Sequence, residues 1–171
     1  MEPKKASESY VTKTSIILPP DTNNHGTIFG GKTMSHIDEV AALSAMRHAR
    51  MSVVTASTDS VDFLHPIKSG QAICVEAFVT WTSHTSMEVF VKVMGENLFT
   101  GERITCTTAF LTFVAIGSDG KPHVVPPVVP ESDVEKNLHG TAPERAKLRK
   151  ERRAHSKMFA EEFGFNTSKP D

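Results

Sequence analysis

Residues 21–42 read Asp21-Thr-Asn-Asn-His-Gly-Thr-Ile-Phe-Gly-Gly-Lys-Thr-Met-Ser-His-Ile-Asp-Glu-Val-Ala-Ala42, a loop that leads into a long helix. Pro19 and Pro20 prevent a regular element immediately upstream, and residues 21–26 are mostly turn formers. From about Phe29 to residue 50 the chain has no proline and many strong helix formers. We therefore predict a helix that begins near Phe29.

Gly30 and Gly31 fall in the first turn of this helix, where each costs roughly 1 kcal/mol relative to alanine. The pair is explained if a ligand approaches the free amides of the helix start, which favour an anion or a developing oxyanion. Asp38 follows at i+7 from Gly31, on the same helix face, among small or apolar neighbours. We expect its carboxylate to be partly buried. The alternative is a solvent-facing acid beside Glu39 on a polar stripe.

The composition is that of an ordinary single domain. The chain has 171 residues, of which 39% are hydrophobic and 23% charged, and its net charge of −1 gives no reason to expect nucleic acid or membrane as a partner. The N-terminus has no secretory signal and no apolar stretch is long enough to span a membrane, so we expect a cytoplasmic protein. Cys74 and Cys106 lie in strand-like runs, and neither they nor the histidines show metal-ligand spacing. We expect reduced core thiols and no metal site.

Five segments are predicted as strands from their β-branched content or their alternation: residues 9–18, 52–64, 72–82, 87–94 and 103–116. The predicted order is one strand, the helix, then four strands in a meander. This is an α+β class with a curved antiparallel sheet of five to six strands, which can bury a single long central helix only by wrapping around it. Small residues on the helix would allow close contact with the sheet: Ala41, Ala42, Ser44 and Ala45. The shape is called a hotdog.

The sequence changes character after residue 116, with a proline-limited strap over residues 124–130. A capping box of Ser132 and Glu135 predicts a short helix that ends near Gly140, and a second box at residues 141–144 predicts another helix that ends near Phe163. Residues 145–157 contain seven Lys or Arg, which form either a solvated basic surface or a clamp for phosphates. We predict a disordered N-terminus at 1–8, the hotdog domain at 9–130, a C-terminal helical extension at 131–164 and a tail at 165–171.

Five segments of the chain are informative together: residues 21–31, Ile37-Asp-Glu-Val-Ala41, Asp59-Ser-Val-Asp-Phe-Leu-His-Pro66, Thr82-Ser-His-Thr-Ser-Met-Glu-Val89 and Val125-Pro-Pro-Val-Val-Pro-Glu131. They resemble the acyl-CoA thioesterases of the hotdog superfamily, in the branch of bacterial acyl-CoA hydrolases and tandem-domain cytosolic acyl-CoA hydrolases. The resemblance spans about residues 9–160. It implies hydrolysis of the acyl-CoA thioester to free fatty acid and CoA, without a metal or an organic cofactor.

The resemblance also implies roles for individual residues. Asp38 stands at the position of the catalytic carboxylate, which acts either as general base or as nucleophile. Asn23 matches an asparagine that positions water or substrate, although an asparagine there can also cap its own turn. Gly30 and Gly31 match the helix start whose amides polarise the thioester carbonyl.

Coenzyme A needs a phosphate site, and the resemblance points to the predicted hairpin Ser83-His84-Thr85-Ser86, which is otherwise an ordinary turn. Three arginines of the basic helix are further candidates: Arg149, Arg152 and Arg153.

Helix geometry points to an active site shared between protomers. Asp38 lies two turns from Gly31, about 10 Å along the axis, so one chain cannot easily bring both to one carbonyl carbon. Two chains can, if Asp38 of one faces Asn23 and the glycine amides of the other. The resemblance implies such a dimer, usually assembled as a trimer of dimers. Two other functions stay open: a hotdog dehydratase, with His65 as the tempting residue, and a non-catalytic acyl-CoA sensor.

Overall fold

The computed structural model describes residues 1–164. Its strands and helices are, in chain order, β1 (Lys4–Lys5), β2 (Val11–Ile16), α1 (Gly30–Ala49), β3 (Ser52–Thr58), β4 (Ala72–Thr82), β5 (Ser86–Glu96), β6 (Arg103–Ile116), β7 (Val128–Val129) and α2 (Asp133–Phe163), with short 3-10 turns at Ala6–Ser9 and Pro19–Asp21. The α+β order predicted from the sequence is confirmed, and the predicted start of α1 is correct to one residue.

The main sheet has five antiparallel strands in the order β2-β4-β5-β6-β3. The predicted four-strand meander is wrong in one respect, because β3 pairs with β6 instead of β4. Alternation along each strand specifies which face is buried, but it does not specify which strand lies beside which. As a result β3 is an edge strand, and within residues 1–164 its outer edge has no partner strand.

The sheet curls around α1, as the hotdog prediction requires. The inner face of the helix carries Ile37, Val40, Ala41 and Ala45, all at 0% exposure. Close contact through small side chains is confirmed, since Ser44 is also fully buried and Ala42 is partly buried. Opposite the helix, β4, β5 and β6 supply buried Val, Ala, Met, Leu and Phe side chains to one continuous core: Val75, Ala77, Val79, Met87, Val89, Val91, Val93, Leu111 and Phe113.

Two predicted boundaries are wrong. The strand predicted at residues 52–64 is β3, and it ends at Thr58. The next residue, Asp59, binds Arg152 of α2, and the chain then leaves the sheet. The N-terminus is not disordered throughout, since Lys4–Lys5 pairs in parallel with Val128–Val129 and Ser9 is buried. The Ser9 hydroxyl accepts a hydrogen bond from the amide of Val79 at 2.9 Å, which fixes this segment against β4.

The C-terminal extension is one helix where the sequence predicted two. The capping box of Ser132 and Glu135 is confirmed, whereas the second box is not formed and Pro143 lies inside α2. The proline removes one helical hydrogen bond, at a typical cost of about 3 kcal/mol. Side-chain contacts to the body on both sides of Pro143 keep the two halves on one axis, because His139 hydrogen-bonds Thr80 O and Arg145 binds Glu88. The predicted tail at 165–171 lies outside the described residues.

No helix within residues 1–164 combines the length and apolar character needed to cross a bilayer.

His48, near the end of α1, ties the helix to the strap. Its ring is fully buried, its Nε2 hydrogen-bonds the carbonyl of Pro126 at 2.8 Å, and its Nδ1 has no partner among the described residues. Burial lowers the pKa of His48 below 6.5, an effect that the hydrogen bond to Pro126 partly opposes. The ring is therefore neutral in the folded protein at neutral pH.

This burial predicts a pH-dependent stability. Because the pKa of His48 is lower in the folded state, its contribution is fully present above pH 6.5 and is lost as the pH falls through the folded-state value. We expect wild type to lose more free energy of unfolding between pH 7.5 and pH 5 than His48→Gln, which has no group that titrates at this position. Urea unfolding across this range measures the difference, and His25→Gln, an exposed loop position, is the control. Parallel curves for wild type and His48→Gln would refute this account.

Candidate active site

The start of α1 presents free amides to open space. The first intrahelical bond is donated by Thr33 N to Phe29 O at 3.0 Å, so the amides of Gly30, Gly31 and Lys32 have no helical acceptor, and the side chain of Phe29 provides no cap. A Cβ on Gly31 would meet no atom within 4 Å, and one on Gly30 would meet only the Phe63 ring at 3.5 Å. Packing within this chain therefore does not require either glycine, whereas the close approach of a ligand would.

Asn23 organises the loop in front of this helix. Its side-chain Oδ1 accepts from the amide of His25 at 2.9 Å, and its Nδ2 donates to the Thr27 hydroxyl at 2.9 Å. The backbone closes the same turn, with Asn23 N donating to Thr27 O. The turn-capping role considered as the alternative is thus present in the structure. A role of Asn23 towards substrate stays a prediction.

Asp38 lies on the flank of α1 beside the edge strand. Its Oδ1 accepts a hydrogen bond from the hydroxyl of Thr55 on β3 at 2.8 Å. The expected partial burial is not found within one chain, because β3 is the last strand and nothing beyond it in the described residues covers the carboxylate. No Lys or Arg of residues 1–164 forms a salt bridge with it, in contrast to its neighbour Glu39, which pairs with Lys13 at 2.7 Å.

Thr55 is a site residue that sequence reasoning missed. It lies in a predicted strand, but only the pairing of β3 at the sheet edge brings it to Asp38. Within one chain, Asp38 and Gly31 remain two helical turns apart, about 10 Å along the axis. One chain thus assembles a Thr55–Asp38 pair and, separately, a helix start with a loop asparagine.

The predicted CoA-binding hairpin and the basic helix meet at one groove. β4 and β5 are joined by a tight hairpin closed by Ser83 N to Ser86 O at 2.8 Å. The groove, of about 360 Å³, lies between this hairpin and α2 and is lined by predicted residues from both elements: Ser83, Thr85, Ser86, Arg149 and Arg153. His84 and Arg152 do not line it. Ala56 and Ser57, which follow Thr55 on β3, form another wall, so the groove begins about 3 Å along the strand from Thr55.

Some basic side chains of α2 form salt bridges and others do not. Arg149 binds Glu88 and Asp59, and Arg152 binds Asp59 at 2.5 Å, so a phosphate would have to compete with these carboxylates. Arg153 and Lys150 also line the groove and form no salt bridge within residues 1–164. The basic helix is therefore partly an internal ion-pair element, which neither sequence interpretation anticipated.

Glu88 is the centre of that element. It is 1% exposed on β5, binds Arg145 at 2.8 Å and Arg149 at 3.1 Å, and accepts from the Thr80 hydroxyl. Arg145 also lies over the ring of Phe110, 4.2 Å from its centroid. The signal in the sequence was the i, i+4 pair of arginines, which presents two guanidinium groups on one helix face.

Two further predictions concern metals and thiols. Among residues 1–164, no group of three or more His, Cys, Asp or Glu side chains is placed to hold a metal ion. Cys74 on β4 and Cys106 on β6 are buried free thiols, and burial raises the pKa of each.

Comparison with known proteins identifies the class. Residues 25–98 match the family model of the thioesterase superfamily. The chain is 55% identical over 169 residues to an uncharacterized acyl-CoA thioester hydrolase, YkhA, of Bacillus subtilis, covering 99% of this chain and 97% of that protein. The chain belongs to the thioesterase superfamily.

Two solved structures are similar to this chain over almost their whole length. The acyl-CoA hydrolase of Staphylococcus aureus, solved with butyryl coenzyme A, coenzyme A and coenzyme A disulfide, has a TM-score of 0.90 at 47% identity, covering 95% of this chain and 99% of that chain. The same enzyme has been solved as alanine variants of an aspartate, an asparagine and a threonine. An apo-hexameric acyl-CoA thioesterase has a TM-score of 0.87 at 51% identity, covering 90% of this chain and 99% of that chain.

Proposed function

We propose that this protein is an acyl-CoA thioesterase that hydrolyses the thioester to a free acid and CoA. The observation that carries the proposal is Asp38, a carboxylate oriented by Thr55 and free of any cation within residues 1–164. In the S. aureus enzyme the asparagine, aspartate and threonine that were replaced follow one another at the same intervals as Asn23, Asp38 and Thr55 here. No metal or organic cofactor enters the proposed reaction.

The proposed chemistry uses the Asp38 carboxylate and the free amides at the start of α1. Asp38 either removes a proton from the water that attacks the thioester carbonyl or attacks that carbon itself, and Thr55 holds the carboxylate in place. The amides at Gly30 and Gly31 stabilise the negative oxygen of the tetrahedral intermediate, an effect worth a few kcal/mol per donor in comparable sites. The C–S bond then breaks, and the thiolate of CoA leaves and takes up a proton. If Asp38 is the nucleophile, this step leaves a mixed anhydride on Asp38, which water hydrolyses to the free acid and the restored carboxylate.

We propose that the nucleotide end of CoA binds in the groove between the hairpin and α2. Ser83, Thr85 and Ser86 line the same groove as Arg153 and Lys150. These two cations are available to phosphate, whereas Arg149 and Arg152 already bind carboxylates. His84 is exposed outside this groove, and its carbonyl accepts a hydrogen bond from Val125 N.

Each active site is proposed to be shared by two protomers. Asp38 is exposed beside the edge strand, and Val54 of that strand is 51% exposed, which is the surface that a second copy would cover. Pairing there would bring Asp38 of one chain to the glycine amides and Asn23 of the other. The hexameric relative supports assembly of such dimers as a trimer.

A mixing experiment tests the shared site. Asp38→Asn and Asn23→Ala are each expected to be nearly inactive as pure proteins. After unfolding and refolding together, a hybrid dimer contains one site with both native residues, so activity should recover to about a quarter of wild type. Refolding each variant alone is the control. No recovery on mixing would show that both residues act in the same chain.

Thiol release from butanoyl-CoA tests the activity itself. Turnover by wild type is expected, and binding without turnover would favour the acyl-CoA sensor. Formation of an enoyl-CoA from a 3-hydroxyacyl-CoA would favour the dehydratase, in which His65 was the candidate.

Reduced, unpaired cysteines support the proposed cytoplasmic location.

A further inference from the structure

A second cavity, of about 300 Å³, opens beside Gly30 and is separate from the groove under α2. Its walls come from three places: the loop before α1 with the first turn, the loop before β4, and β6. Ile28, Pro66 and Ile67 give it apolar sides. None of the described residues that line it is Asp, Glu, Lys or Arg.

The cavity has an open mouth and a closed floor. Phe63 stands at the mouth, 55% exposed, with its ring beside Gly30. The floor is formed by Ile67, Cys106 and Thr107, which are 2%, 4% and 0% exposed. The space therefore runs from the free amides of the helix start into the hydrophobic core.

We propose that this cavity holds the acyl chain of the thioester, with the carbonyl at Gly30 and the methyl end at Cys106, and that its floor selects short and medium chains. This inference rests on the proposed thioesterase function and assigns the binding site of the acyl chain of that substrate. An apolar chain is the fitting occupant because each methylene moved from water into such a site strengthens binding about fourfold.

The cavity volume limits the length of the acyl chain that it can hold. A methylene group is similar in size to a water molecule, whose share of liquid volume is about 30 Å³, so the cavity has room for at most about ten such groups. A longer chain would have to displace His65–Pro66, which lies between this cavity and a third cavity of about 240 Å³. That wall is held to β6 by Leu64 N, which donates to Cys106 O at 2.8 Å, and by the His65 ring, which hydrogen-bonds Thr105 O.

Filling the floor tests the proposal. Methionine adds about two groups to the roughly ten that the cavity holds, so Cys106→Met is expected to lower kcat/KM for decanoyl-CoA, with nine carbons beyond the carbonyl, at least tenfold relative to wild type, with butanoyl-CoA changed less than about twofold. Cys74→Met adds the same side chain at the other buried thiol, which does not line the cavity, and should leave the ratio of the two substrates unchanged. Thermal unfolding verifies that both variants fold. Equal loss for both substrates in Cys106→Met would overturn the proposal while leaving the thioesterase function standing.

A second readout does not depend on turnover. In the Cys74→Ala protein, Cys106 is the only remaining thiol, and burial raises its pKa, so labelling is run at mildly alkaline pH with methyl methanethiosulfonate. The thioether analogue S-octyl-CoA is expected to slow labelling at least tenfold, and S-methyl-CoA, a thioether without the long chain and without a free thiol, to slow it little. Equal labelling rates with S-octyl-CoA and with S-methyl-CoA would overturn the proposal, whether or not the protein hydrolyses thioesters.

Discussion

Replacing Asp38 by asparagine is expected to lower kcat/KM for butanoyl-CoA by about a thousandfold or more. The substitution keeps the size of the side chain and an oxygen that can accept from Thr55, but it removes the base or nucleophile. Because Asp38 is exposed in the chain and has no salt bridge within residues 1–164, the free energy of unfolding should hardly change. Thiol release measured over a range of substrate concentrations separates a loss of kcat from a rise in KM.

The neighbouring acid is the matched control for this experiment. Glu39→Gln removes a carboxylate from the same helix turn, but Glu39 is engaged with Lys13, and activity should stay within about twofold of wild type. Thr55→Val should give an intermediate loss, since it frees the Asp38 side chain without removing it. An Asp38→Asn enzyme with more than a tenth of wild-type kcat/KM would exclude Asp38 as base and as nucleophile.

Replacing Glu88 by alanine is expected to lower the free energy of unfolding by roughly 3–5 kcal/mol. The half-buried Arg145 loses its counter-charge, and the buried Arg149 keeps only the longer contact with Asp59 at 3.5 Å. Arg145 and Arg149 both bind Glu88, which is 1% exposed, so water cannot replace the carboxylate without opening the contact between α2 and the sheet. Urea unfolding measured by circular dichroism gives the change in midpoint.

Glu88→Gln and Glu151→Gln complete this series. The glutamine at 88 keeps hydrogen bonds to the arginines but not the charge, so its effect should be smaller than that of alanine. Glu151 is exposed on the outer side of α2, and its substitution should leave the midpoint unchanged. A midpoint for Glu88→Ala that equals that of wild type would mean that α2 is held without this ion pair.

The elements of the hotdog domain could be predicted because local pattern and final environment agree. α1 has many helix formers after its two glycines, and most of β4, β5 and β6 alternates in sequence, so each segment carries the signal of the face that packs on the helix. The small residues of α1 predicted close contact with the sheet, and the structure shows it at Ala41 and Ala45.

The remaining errors arise where long-range contacts outweigh local pattern. β3 has the β-branched residues of a strand, which do not specify its place in the sheet; it lies at the sheet edge and ends where Arg152 holds Asp59. Local signals at Gly140 and Pro143 favoured a break in the C-terminal helix, and contacts with Thr80 and Glu88 hold it continuous. The exposure of Asp38 could not be read from its small neighbours on α1, because the surface next to it belongs to β3.

The strand order has a consequence for synthesis of the protein on the ribosome. α1 is complete at Ala49, but β6, which covers it with Leu111 and Phe113, ends only at Ile116. At roughly 5–20 residues per second, the apolar face of the nascent helix stays uncovered for several seconds. The N-terminal strand waits longer still, since Lys4 finds its partner only when Val128 has been made. The domain therefore closes late in translation, with its first and last strands joining together.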